Sequence, residues 1–259
     1  MSARTQTVES LLRPAQTNLD LYRQLHGLGY TEKQLIRIRD GYRLVLSLFP
    51  DRFRANGKPF VAHLVGTASI LAAADARPEV VTAGLMHAVY DNGDFADSVG
   101  GATAAHRRAV GDCAGAEIEA LVAAYHRLRW KRAVVAPLLQ SGEAFPREVQ
   151  EILLMRIANE IEDHVSLGMR LCNETRAAQA VPRDMYIALA RALDRPDLAQ
   201  TLVAAYRETD AAHWAAPFAE AHTASYRVVS NAGMTGSQHL AAALRAAMRK
   251  LRRLARLSS

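Results

Sequence analysis

Apolar residues recur in this chain at intervals of three and four, and prolines and capping residues cut the pattern into segments of one helix each. Thr31-Glu-Lys-Gln34 reads as a capping box, and Leu35, Ile38, Tyr42, Val45 and Leu48 follow on one helical stripe. Pro50-Asp51 stops that helix, and a shorter one before it carries Leu19, Tyr22 and Leu25 and ends near Gly27-Leu-Gly29. A loop over Arg54–Phe60 leads into a predicted helix through His63 to about Ala74, with Leu64, Thr67, Ala68 and Leu71 as its apolar face. Pro78 opens a helix carrying Val81, Leu85 and Val89 to about Tyr90, where Asn92-Gly93 breaks it. After a loop from Phe95 to Ala104, helices are expected to resume at His106 and again over Gly115–Arg129. Phe145-Pro146 opens a long helix holding Val149, Ile152, Leu153, Ile157, Ile161 and Val165, expected to reach Ala178. Pro182 and Pro196 open two more, the second reaching Phe218. Alternation at period two is absent, and 15 Gly and 9 Pro are too few for a turn-rich sandwich or barrel. The expected class is all-α.

Charge narrows the partners. The formal net charge is +6, yet Arg245, Arg249, Lys250, Arg252, Arg253 and Arg256 lie within 236–259, which holds no acid. The body, 1–235, is therefore neutral, so the basic balance does not argue for a nucleic-acid-binding body. Leu240, Leu244, Met248, Leu251 and Leu254 place one aliphatic stripe on a basic helix over 236–259. Burying such side chains is worth roughly 1.5–3 kcal/mol each, so this helix is expected to pack on the body or on a second subunit, in a homodimer. The stripe has no Trp or Phe and no lipidation motif accompanies it, which argues against a membrane. No apolar run spans a bilayer and no signal-peptide core precedes the helices. Cys113 and Cys172 form no CxxC, so the expected compartment is cytoplasmic.

Three stretches, in order, resemble the HD-domain phosphohydrolases, specifically the hydrolase half of the RelA/SpoT alarmone enzymes. They are Arg54-Ala-Asn-Gly-Lys-Pro-Phe-Val-Ala-His63, Ala83-Gly-Leu-Met-His87-Ala-Val-Tyr-Asp-Asn92 and Leu154-Met-Arg-Ile-Ala-Asn159-Glu-Ile-Glu-Asp163. Gly115-Ala-Glu-Ile-Glu-Ala-Leu-Val122 resembles the helix before the third. The resemblance covers about half the chain, residues 41–177, and implies an HD-like helical core within 1–235.

The resemblance also implies a divalent metal held by two His and two Asp. His63 and His87 stand at the first two positions, but Ala88 and Asn159 stand where carboxylates are implied, and Asp91-Asn92 replaces a catalytic Glu-Asp pair. A hard or borderline cation depends on anionic ligands, so no metal or other cofactor is expected. The resemblance places Arg54 where a guanidinium stacks on a base. His63, His87 and Asp91 are the candidate catalytic acids and bases; Arg54, Tyr90, Asn159 and Asp163 are the candidate substrate contacts.

Three readings remain open from these residues. The chain is a metal-independent enzyme acting on a small anionic or phosphorylated molecule, or a non-catalytic ligand-binding or scaffold protein. The third is a metal-dependent phosphohydrolase whose ligands have moved to Asp91, Glu160 or Asp163. Asn159-Glu160-Ile-Glu162-Asp163-His164 is polar enough to be a solvated helix face, although Ile157 and Ile161 imply that one side is buried. The basic run His126–Arg132 reads as a helix end favoured by its dipole rather than as a nucleic-acid contact.

Overall fold

The computed structural model describes residues 8–97, 99–142, 144–171, 181–213 and 225–228. These residues are all-α. The helices are α1 (Val8–Leu12), α2 (Asn18–Gly27), α3 (Glu32–Leu48), α4 (Phe60–Ala73), α5 (Pro78–Leu85) and α6 (Val89–Asn92). They continue with α7 (Ala104–Ala114), α8 (Ala116–Arg127), α9 (Arg132–Gln140), α10 (Arg147–His164), α11 (Arg183–Ala192) and α12 (Pro196–Ala211). Extended structure among them is limited to two strands of two residues, β1 (Arg52–Phe53) and β2 (Tyr226–Arg227), and an isolated bridge between Phe53 and Pro59. The helices belong to the first of two compact units, Met1–Tyr226 and Arg227–Ser259. No helix among the described residues is long and apolar enough to cross a membrane.

The capping box at Thr31 forms as its sequence requires. The Thr31 hydroxyl accepts from Gln34 N at 3.4 Å, and Thr31 N donates to the Gln34 side chain at 2.8 Å. Ile38, Val45 and Leu48 then face the core. Helix α4 differs from its predicted single face, since every residue from His63 to Ala72 is buried. A helix apolar on all sides belongs in the middle of a fold, and α4 lies against α1, α2, α5 and α10. Its approach to α5 is close enough at Gly84 that an added Cβ would collide with Leu71.

Three helix ends fall earlier than the periodicity suggests. Helix α5 stops at Leu85, and the chain turns through Met86–Ala88 before α6, which sets His87 in the turn. Helix α10 stops at His164 because Val165 takes ψ 140, and a 3-10 stretch, Val165–Leu171, replaces the continuation. Helix α9 is not foreshadowed by the periodicity, because it carries Pro137 inside and buries only Val135. The helix expected to reach Phe218 stops at Ala211, because Ala212 takes ψ 131. The helix expected over 236–259 and Cys172 lie outside the described residues.

Helix α10 is clamped on two sides, by α4, α5 and α8 and by α11 and α12. Its polar run is therefore no solvated face: Glu160, Glu162 and His164 are all buried. Thr31→Ala removes the cap hydrogen bond of α3 and should lower the unfolding free energy by ~1 kcal/mol in urea titration, with an unchanged m-value.

Candidate functional site

The turn before α4 is built to aim two cations. Gly57 takes φ +85, a left-handed conformation that glycine adopts without steric cost. Arg54 N donates to Lys58 O at 2.8 Å, Gly57 N to Arg54 O at 2.9 Å, and Lys58 N to the Asn56 side chain at 3.0 Å. Pro59 then starts α4, and His63 follows one turn later.

Both cations reach across to α10. Lys58 Nζ donates to Glu162 Oε1, and Arg54 Nη1 donates to Asp163 Oδ1. Arg54 Nη1 also lies 2.6 Å from His63 Nδ1 and 3.0 Å from Nε2. The other oxygen of Glu162 contacts His63 Nδ1, and Asn159 Nδ2 donates to Asp163 Oδ2 at 3.3 Å. Arg54, Lys58 and Asp163 keep 20%, 19% and 13% of their side chains exposed, while His63 and Glu162 keep 3% and 1%. The cluster thus has a polar rim over a buried imidazole–carboxylate pair. The small size of Gly66 permits this, because a Cβ there would come within 2.6 Å of Glu162 Oε1.

His87 joins from the α5–α6 turn, its ring centroid 5.3 Å from that of His63. Its Nδ1 donates to Gly84 O at 2.8 Å, which leaves Nε2 as the acceptor of the neutral ring. Behind it stands Tyr125, 5.2 Å away, with the Arg156 guanidinium 3.6 Å over the Tyr125 ring. Arg156 Nη2 donates to the carbonyls of Tyr125 and Leu128 at 2.8 and 3.1 Å, closing the end of α8.

Burial sets the protonation states. His63 is held well below the usual imidazole range by desolvation, then by the neighbouring Arg54 charge. His87 is lowered by desolvation and by His63. Burial pushes the Glu162 carboxyl up to about 7, against the opposing pull of Lys58 and Arg54. Both rings are therefore uncharged at neutral pH, and His63 meets a carboxyl group that titrates near neutrality.

Of the residues singled out in the sequence, Arg54, His63, His87, Asn159 and Asp163 meet here. Tyr90 and Asp91 go elsewhere. The Tyr90 hydroxyl donates to Glu119 at 3.0 Å, and Asp91 pairs with His126 at 2.7 Å on the exposed side. Glu160 accepts from Tyr206 of α12 at 3.2 Å, away from His63. Two members of the cluster, Lys58 and Glu162, were not among the sequence candidates. Their signal was weak: Glu162 is three residues after Asn159, one helical turn along. The one trio among the described residues that could hold a metal ion is His63, Glu162 and Asp163, whose donor atoms lie within 4.8 Å of one another. Trp130, the aromatic residue of the basic run, donates to the Tyr186 hydroxyl at 2.6 Å within the packing.

Comparison with known proteins adds little beyond the geometry. Residues 44–129 match a family described as Domain of unknown function (DUF6817). The curated proteins yield no match. A solved structure of a metazoan ortholog of SpoT, described as hydrolysing ppGpp with a role in starvation responses, is similar at 16% identity and a TM-score of 0.41. That alignment covers 69% of this chain and 96% of that chain.

The Glu162 carboxyl sets a pH test. Its folded-state pKa, about 7, lies above the ordinary 4.5. As pH rises between these values the unfolded chain releases the proton and the folded chain keeps it, so this group's contribution to stability falls. His63, depressed, contributes the opposite slope below its ordinary value of 6.5. Relative to Glu162→Gln, the natural protein should therefore lose unfolding free energy from pH 4.5 to pH 7 and change little above pH 8. A relative gain over the same window, in denaturant titrations of the two proteins, would mean that Glu162 is already ionised in acid.

Proposed function

We propose that this chain is a small-molecule enzyme on an HD-like helical core, working by acid–base chemistry without a divalent metal. The observation that carries the reading is the buried contact between His63 and Glu162 beneath a partly exposed rim of Arg54, Lys58 and Asp163. Imidazoles and carboxyls with displaced pKa values cluster at sites that move protons. The HD-like core is supported by the meeting of Arg54, His63, His87 and Asn159 from three separate stretches of sequence.

The two-His, two-Asp ligand set implied by the resemblance is not present in this chain. Ala88 and Asn159 carry no carboxylate, and the neighbouring carboxylates, Glu162 and Asp163, already hold Lys58 and Arg54. The proposed chemistry therefore runs through this chain's own groups. An anionic or phosphorylated substrate enters from the rim, where Arg54 and Lys58 meet it first. Drawing Arg54 onto the substrate uncovers the His63 ring nitrogen that the guanidinium covers at 3.0 Å. Glu162 at Nδ1 keeps the ring in one tautomer and stabilises the imidazolium once the proton is taken. His87, neutral and edge-on to His63, extends the basic wall. The alternative, a metal-dependent phosphohydrolase with relocated ligands, draws its support from the His63, Glu162 and Asp163 trio.

A screen of anionic and phosphorylated metabolites by thermal shift, followed by product analysis, tests the reading. Turnover should survive exhaustive chelation and fall by at least ~100-fold in His63→Gln, in line with the usual worth of a general base. Ligand binding without any product would leave a sensor rather than an enzyme. Turnover abolished by chelation and restored by manganese would establish the metal-dependent alternative.

A further inference from the structure

We infer that Lys58, with Arg54, supplies the positive charge that a divalent cation would otherwise bring to this site, and that Lys58 keeps such a cation out. The inference rests on the metal-independent reading above and names what replaces the metal. Glu162 and Asp163 together carry two negative charges when ionised, and each is met by one cation: Lys58 Nζ on Glu162 Oε1, and Arg54 Nη1 on Asp163 Oδ1. Two monovalent side chains thus provide the same charge as one divalent ion, on the same two carboxylates.

The donors themselves suit an ion. His63, Glu162 and Asp163 each offer one ligand atom, and these lie within 4.8 Å of one another, a separation that an ion with ligands at about 2.0–2.3 Å nearly bridges. One imidazole and two carboxylates are an ordinary set for a borderline divalent metal. An incoming ion must displace both cations from their carboxylates, and they are held firmly. Arg54 and Lys58 project from the turn around Gly57, closed by hydrogen bonds of 2.8 and 2.9 Å, and Asn56 at its tip donates to Gly168 O at 3.3 Å. Lys58 contacts the more deeply buried of the two carboxylates, so its ammonium is the harder charge to replace with water. Arg54 also lies 3.0 Å from His63 Nε2, the nitrogen whose lone pair a metal would need.

The consequence is a latent metal site that one substitution opens. Lys58→Met keeps the chain length and apolar stem but removes the charge, which leaves Glu162, Asp163 and His63 short of one cation. Isothermal titration with manganese should show binding at least ~10-fold tighter in Lys58→Met than in the natural protein, a difference of about 1.4 kcal/mol. Adding Glu162→Gln in the Lys58→Met background should cancel the gain, because it removes the ligand that Lys58 covers. If Lys58→Met does not fold unaided, refolding with and without manganese reads the same site: recovery only with the metal supports the inference, and no recovery overturns it. Equal affinities in the natural protein and in Lys58→Met overturn it, as does stoichiometric metal in the natural protein as purified. The readout is metal affinity, so a protein with no turnover on any substrate can still pass this test, and a catalytic protein can still fail it.

Discussion

The structure turns on one buried carboxylate. Glu162 leaves α10 into the middle of the helical body with 1% of its side chain exposed, and an isolated charge there would be costly. Everything around it compensates. Lys58 comes from the turn before α4, His63 from the first turns of α4, and Gly66 of α4 has no side chain in the way. The compensation links residues more than a hundred apart in sequence and ties the loop, α4 and α10 into one assembly.

That assembly explains why α4 and α10 are so different in composition yet equally central. Helix α4 is apolar around its whole circumference except at His63, Thr67 and Ser69, and each of these polar groups has a partner. Helix α10 carries charge into the interior on two sides. Glu162 and Asp163 meet the α4 loop, while Glu160 and His164 meet Tyr206 and Thr209 of α12. A helix clamped between two layers can bury polar residues on both sides only if each layer brings counterparts, and here both do. Arg156, one turn before Asn159, serves the same helix differently, by closing the end of α8 through two carbonyls.

The cluster also reallocates roles among residues that look alike in the sequence. Asp91 and Asp163 each follow a polar residue of the resembling motifs by one turn, and each could orient a histidine. Asp163 reaches the His63 cluster, while Asp91 turns out to His126. Their difference comes from the break after Leu85. Helix α5 ends there, so His87 and Asp91 no longer share one continuous helix face, and His87 alone points inward.

What the sequence determined by itself was local. Prolines and caps set where most helices begin, because missing N–H groups and side-chain acceptors act within one turn, and the Thr31 box forms as read. The order of motifs around Arg54, His63, His87 and Asn159 was sufficient to expect these residues at one place. What only tertiary structure decided was the partner of each charge. Lys58 within a turn and Glu162 within a polar helical run have the local appearance of surface residues. Periodicity assigns a side to a helix that has one buried side, and α4 and α10 have more than one. The desolvation that pushes the Glu162 carboxyl up, and the Lys58 and Arg54 charges that pull it back down, exist only once chain segments about a hundred residues apart are brought together.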